Sequence, residues 1–145
     1  MKTSIQFSLF IMAIMMSPLL VTSQKMQEKD VPVSVKTALQ KQYPKAVKVK
    51  WNKESDKYEA EFDLNKEETS VLIDASGNVI ETEVEIEIGK LQKGVAEYVK
   101  TNYKSSIKEA AKITDAKGSI TYEAEIKGKD IIFDSNGKFI KETKD

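Results

Sequence analysis

The chain has 145 residues, with 23 lysines balanced by 23 aspartates and glutamates, and it contains no arginine, histidine or cysteine. Balanced charge leaves no basic field to attract nucleic acid, and without arginine there is no bidentate fork for phosphate or carboxylate recognition. Without histidine or cysteine, Ser-His-Asp and Cys-His nucleophilic sites and ordinary zinc, copper, haem and iron–sulfur ligation fall away, so no catalytic residue, metal or cofactor is assigned.

Residues 1–23 read as a secretory signal peptide. Lys2 precedes an apolar run from Ile5 to Val21 that is broken by Ser17-Pro18, and small residues precede a cut after Ser23. A membrane anchor would need a longer run and a basic stop-transfer flank. A lipid anchor would need a cysteine at the cut. The expected address is therefore the periplasm or the medium, with no membrane span after cleavage. The remaining ~120 residues suit one domain or two very small ones, held by core packing without disulfides.

Residues 24–30 read as a polar lead-in. Val31-Pro32 then opens a helix, since proline is tolerated in a first turn. Val31, Val35, Leu39 and Tyr43 form an apolar stripe at helical spacing, and Pro44 ends it. Strand-like alternation follows in four runs. They are Val47-Val49-Trp51, Tyr58-Ala60-Phe62, Val71 to Ile73, and Ile80 to Ile88 with Glu81, Glu83, Glu85 and Glu87 between. Asn52 to Asp56 and Leu64 to Glu68 read as polar connections, and Asp74 to Asn78 as a tight turn.

The pattern then repeats after 60 residues. Leu91, Val95, Val99 and Tyr103 form a second helical stripe, and Ile73-Asp74-Ala75-Ser76-Gly77 recurs as Phe133-Asp134-Ser135-Asn136-Gly137. Tyr58-Glu59-Ala60-Glu61-Phe62 recurs as Tyr122-Glu123-Ala124-Glu125-Ile126, displaced by 64. Residues 107–113 are rich in Ala and Lys and could be helical, but the repeat predicts a strand. Residues 120–126, 130–134 and 138–141 are the remaining strands. The expectation is an α+β fold of two tandem repeats, 31–89 and 90–145, forming one compact unit. Each repeat is one helix followed by a four-stranded antiparallel meander, covered by the helix on one face. The covered face is predicted to hold Tyr58, Ala60, Phe62, Val71, Ile73 and Ile80, and Tyr122, Ala124, Ile126, Ile131, Phe133 and Ile140 in the second copy.

The paired stripes, Tyr-Glu-Ala-Glu-Phe and Asp-x-x-Gly-x-Val-Ile, repeated behind a signal peptide, resemble the PepSY-like, β-lactamase-inhibitor-like family of exported Bacteroidetes proteins. The resemblance covers the whole mature chain. It implies the tandem fold of the β-lactamase inhibitor proteins, whose sheet surface grips the enzyme; PepSY relatives are associated with peptidase inhibition. No motif maps the inhibitor's contact residues onto this chain, so none is carried over.

The uncovered sheet face is the main functional candidate. Alternation assigns it Lys48, Lys50, Glu59, Glu61, Leu72, Val79, Glu81 and Glu83, and then Glu123, Glu125, Lys127, Ile132 and Phe139. Leu72, Val79, Ile132 and Phe139 would form an apolar patch at repeat-related positions, flanked by Glu59, Glu61, Glu123 and Glu125; such a patch marks a partner surface, unless the two units pack by these faces or a loop covers them. Trp51 reads as core. The Glu81–Glu87 ladder reads as a solvated face neutralised by Lys48 and Lys50. The Asp74 and Asp134 turns lack the twelve-residue EF-hand pattern and read as backbone turns. Tyr43 and Tyr103 read as core residues with hydroxyls at the surface. The functional expectation is an exported, non-enzymatic binding module, inhibitor-like toward an envelope or secreted enzyme, its partner another protein. The alternative is a small-ligand or cation binder using the carboxylate-rich face.

Overall fold

A computed structural model describes residues 23–144. Apart from Ser23, the expected signal peptide lies outside the described residues. The strands are β1 (Ser23–Met26), β2 (Lys50–Glu54), β3 (Lys57–Leu64), β4 (Glu67–Asp74), β5 (Val79–Ile86), β6 (Glu109–Asp115), β7 (Ile120–Ile126), β8 (Lys129–Asp134) and β9 (Phe139–Lys144). Helix α1 (Val33–Gln42) precedes β2, and α2 (Val95–Tyr103) precedes β6. All nine strands form a single antiparallel sheet in sequence order.

This corrects the expected fold class. The protein is mostly β, one nine-stranded sheet with two helices, and not two repeats each with its own helix and four-stranded meander. β5 pairs with β6 from Glu81–Asp115 to Ile86–Ala110. An isolated meander would leave both strands with an edge of unpaired backbone groups; joining them satisfies both edges. The expected polar lead-in supplies the ninth strand, with Ser23 opposite Glu54 and Met26 opposite Trp51. The second strand also begins later than its alternation suggested. Lys48 adopts φ 55°, which breaks the extended run, and Ser55 at φ 55° makes the following turn. Residues once read as a connection, Asn52 to Glu54, therefore belong to β2.

Both helices lie on one face. Val31, Val35 and Leu39 pack on Trp51, Ala60, Phe62, Val71 and Ile73. Val95 and Val99 pack on Ala124, Ile126, Ile131 and Phe133. Tyr43 meets Phe62 at a ring separation of 5.2 Å, and the Tyr103 hydroxyl donates to Glu142 Oε2 at 2.6 Å.

Two repeat-related bulges decide what each face receives. Leu72 stands opposite Glu81 but Ile73 opposite Val79, so Ile80 is an extra residue. Ile132 likewise stands opposite Lys141 and Phe133 opposite Phe139, leaving Ile140 extra. A bulge inverts the alternation on one side of itself. Val79 and Phe139 therefore join the helix-side core, Phe139 stacking on Tyr98 at 5.3 Å. Their expected place on the open face, and that of Ile80 and Ile140 in the core, are corrected; Ile140 is exposed. Both bulges follow the turns in which Asp74 and Asp134 accept backbone N–H groups at 2.9 Å. Asp115 repeats the device in the β6–β7 turn, at 2.8 Å.

Candidate binding face

With Ala60, Val71, Ala124 and Ile131 turned to the helices, the strand registers send their neighbours to the opposite face. That face receives Glu59 and Glu61 from β3, Leu72 from β4, and Glu81, Glu83 and Glu85 from β5. Ala111 and Ile113 come from β6, Glu123 and Glu125 from β7, Asp130 and Ile132 from β8, and Lys141 from β9. Of the apolar residues expected here, Leu72 and Ile132 are present; Ile113 joins Ile132 as a small buried cluster. All four expected glutamates, Glu59, Glu61, Glu123 and Glu125, are also on this face.

Among the described residues no helix packs on this side, yet Glu59, Glu83, Glu123 and Asp130 are buried, Glu123 to 1 % exposure. Side chains that bury one another without a covering layer require a face that curves inward. The electrostatics agree. The Lys141 charge on β9 acts on the Glu81 carboxyl on β5. Four strand spacings would separate the two by about 19 Å in a flat sheet.

The Glu81–Glu87 ladder is thus not the solvated, lysine-paired row expected from alternation. Lys50 stands opposite Glu61 on β3, and Lys48 falls outside the strands. The ion pairs among the described residues, Lys57–Asp56 at 2.8 Å and Lys129–Glu142 at 2.6 Å, touch none of the ladder. Burial pushes the Glu81 carboxyl up to about 7, with Lys141 opposing and Asp115 adding. Glu59 is also raised to about 7 by burial, although Ser70 Oγ at 2.8 Å and Asn52 Nδ2 at 3.1 Å donate to it. Asn52 Nδ2 also donates to Glu61 Oε1 at 2.7 Å, and burial raises Glu61 as well. Glu83 is raised by burial first and then by Glu81, Glu59 and Asp130, and Glu123 by burial first and then by Glu83 and Asp130. Glu123 Oε2 has no hydrogen-bond partner. In such surroundings the neutral acid is favoured over the carboxylate.

The face is therefore a curved floor of carboxyl groups interrupted by Leu72, Ile113 and Ile132. Among the described residues no cluster of three or more acidic side chains is arranged to hold a metal ion. A separate cavity of about 620 Å³ lies between Ile88 ahead of α2, Ala96 and Lys100 of α2, and the connection after α2 at Lys104, Ser105, Ser106 and Ile107. Sequence reasoning missed Ile113, Asp130 and Lys141 as members of the face. Alternation could have placed Ile113 once residues 107–113 were taken as a strand, and Lys141 one residue beyond Ile140.

Among the described residues the protein is a single antiparallel sheet backed by helices on one side, with a carboxyl-rich face on the other. The chain belongs to the "putative beta-lactamase-inhibitor-like, PepSY-like" family, which matches residues 20–81 and again 64–141. No curated protein matches. Solved structures share the fold. A "putative periplasmic" protein from Bacteroides eggerthii is 16 % identical, with 79 % of this chain and 88 % of that one covered and a TM-score of 0.70. A DUF2874 family protein from Bacteroides uniformis is 20 % identical, with 78 % and 88 % covered and a TM-score of 0.69. A "BLIP-like protein" from Bacteroides fragilis is 24 % identical, with 78 % and 86 % covered and a TM-score of 0.64. Among the described residues no helix is long and apolar enough to cross a membrane.

Proposed function

We propose that this protein is an exported, non-enzymatic binding module that holds a partner protein against the helix-free face of its sheet. The observation that carries the reading is the face itself. It is uncovered and curved, and it combines apolar side chains with carboxyls whose burial is costly in the free protein. The family's inhibitor-like character and the "periplasmic" label of the Bacteroides eggerthii relative support an inhibitor-like role in the envelope or outside the cell.

The test is capture from envelope and secreted fractions. Leu72→Asp changes a half-buried residue of this face and is expected to lose the captured protein while keeping the native melting transition. Val33→Asp, on α1 at a site 75 % exposed, is expected to retain it. Equal capture by the native protein and Leu72→Asp would overturn the assignment. Ile132→Asp is unsuitable, because Ile132 is buried and the change would unfold the sheet.

A further inference from the structure

The chain is neutral overall, but its charges are segregated. The curved face carries carboxyls on β3, β5, β7 and β8, whereas its strand lysines among the described residues are Lys25, Lys50, Lys57 and Lys141. The other lysines among the described residues lie on the helices, loops and helix side. Groups facing Glu123 are Glu81 and Glu83 of β5, Glu109 of β6, Glu125 of its own strand, Asp130 of β8 and one cation, Lys141 of β9. No arginine or histidine exists in the chain to compensate them, and Glu123 Oε2, wholly buried, has no hydrogen-bond partner. Such a group is stabilised by a positive charge placed over the face or by a proton.

We propose that the partner held on this face is a lysine- or arginine-rich protein surface, whose cations seat over Glu61, Glu81 and Glu83. The proposal rests on the binding reading above and names the chemistry of the partner. Leu72, half-buried on the face, supplies apolar ground for the aliphatic stems of those side chains. Cations above the floor favour the carboxylate forms, so docking releases protons and weakens with added salt.

A ten-residue lysine peptide is the probe, titrated into the protein calorimetrically near neutral pH in two buffers of different ionisation enthalpy. The expected result is binding whose heat differs between the buffers, reporting released protons. Glu61→Gln/Glu81→Gln should weaken it about tenfold, and Glu123→Gln should reduce proton release while the peptide still binds. A ten-residue glutamate peptide should not bind. No binding of the lysine peptide, or equal binding by the double variant, overturns the proposal. So does concentration-dependent self-association in sedimentation that the double variant abolishes, since the occupant is then the lysine side of a second copy. A melting shift with calcium alone that the double variant removes overturns it in favour of a metal ion. If a captured partner still depends on Leu72 while the lysine peptide fails, the binding reading stands and its charge class falls.

Discussion

Lowering the pH from about 8 to 5 should stabilise this protein, the reverse of ordinary acid denaturation. Glu59 and Glu81 are raised from 4.5 to about 7, chiefly by burial. Each therefore holds a proton more tightly in the folded than in the unfolded chain. The stability this contributes is complete below pH 4.5 and lost as the pH rises through 7. A shift of that size corresponds to about 3 kcal/mol per carboxyl, so the pair sets a ceiling of about 6 kcal/mol. Coupling between neighbouring carboxyls and residual burial in the unfolded ensemble reduce this, and a gain of about 2–4 kcal/mol is expected. At an ordinary urea dependence it moves the unfolding midpoint up by about 1–2 M. Trp51, the single tryptophan and buried, reports the transition by fluorescence. Below about pH 4 the trend reverses. The Asn78 side-chain amide and then backbone N–H groups hold Asp74, and backbone N–H groups hold Asp115 and Asp134, below their usual 3.8, and that stabilisation disappears as they protonate. A midpoint that is flat between pH 5 and 8, or higher at pH 8, would refute the burial argument. A Glu59→Gln/Glu81→Gln variant should show a shallower slope.

Two further substitutions test the packing of the fold. A Cβ at Gly77 would lie 2.9 Å from the Ser34 carbonyl oxygen and at φ +90°, whereas Gly118 has φ +82° and open space. Gly77→Ala should cost about 2–3 kcal/mol, and Gly118→Ala about 1–2 kcal/mol for backbone conformation alone; equal melting temperatures would sink the claimed approach of α1 to the turn. Phe133→Ala should cost about 3–5 kcal/mol, because the ring is fully buried between Tyr98 and Phe139. Ile140→Ala, at the exposed bulge residue, should change urea stability by about 0.5 kcal/mol or less; a larger loss would place Ile140 in the core after all.

The helices, the turn at Asp74 with its copy at Asp134, and most of the helix-side core were legible because each depends on short-range spacing. Val35 and Leu39, or Val95 and Val99, need only helical periodicity to find one face. The joining of the halves was not legible. It depends on the β5–β6 ladder, between residues such as Glu83 and Ile113 whose side chains carry no mark of being partners. The bulges were hidden for another reason. Strict alternation through Val79-Ile80-Glu81 and Phe139-Ile140-Lys141 is equally good with either isoleucine or its neighbour inward, and only the tertiary fit of Val79 and Phe139 under the helices decides. Curvature was the third hidden quantity. It buried Glu83 and partly buried Glu81 in a glutamate ladder that any pattern reading would call solvated.

Burying those acids lowers the stability of the free protein, and the argument can be tested on the floor itself. Burial first and then neighbouring carboxyls raise both Glu83 and Glu123, Glu83 being among those that act on Glu123, with no arginine to offset them. Glu123→Gln keeps the shape and removes one ionisation. The new amide puts an N–H donor among carboxyl groups that can accept it. If the cluster is strained by charge, the variant gains stability at about pH 8, where deprotonation presses hardest, and gains little at about pH 5, where the acids are neutral in both proteins. If Glu123 instead contributes a structural hydrogen bond that glutamine cannot replace, the variant loses stability at both pH values. Urea unfolding at the two pH values separates the cases. The first outcome identifies a group that stability alone does not favour in the free protein, the pattern expected where a fold yields stability to a binding surface.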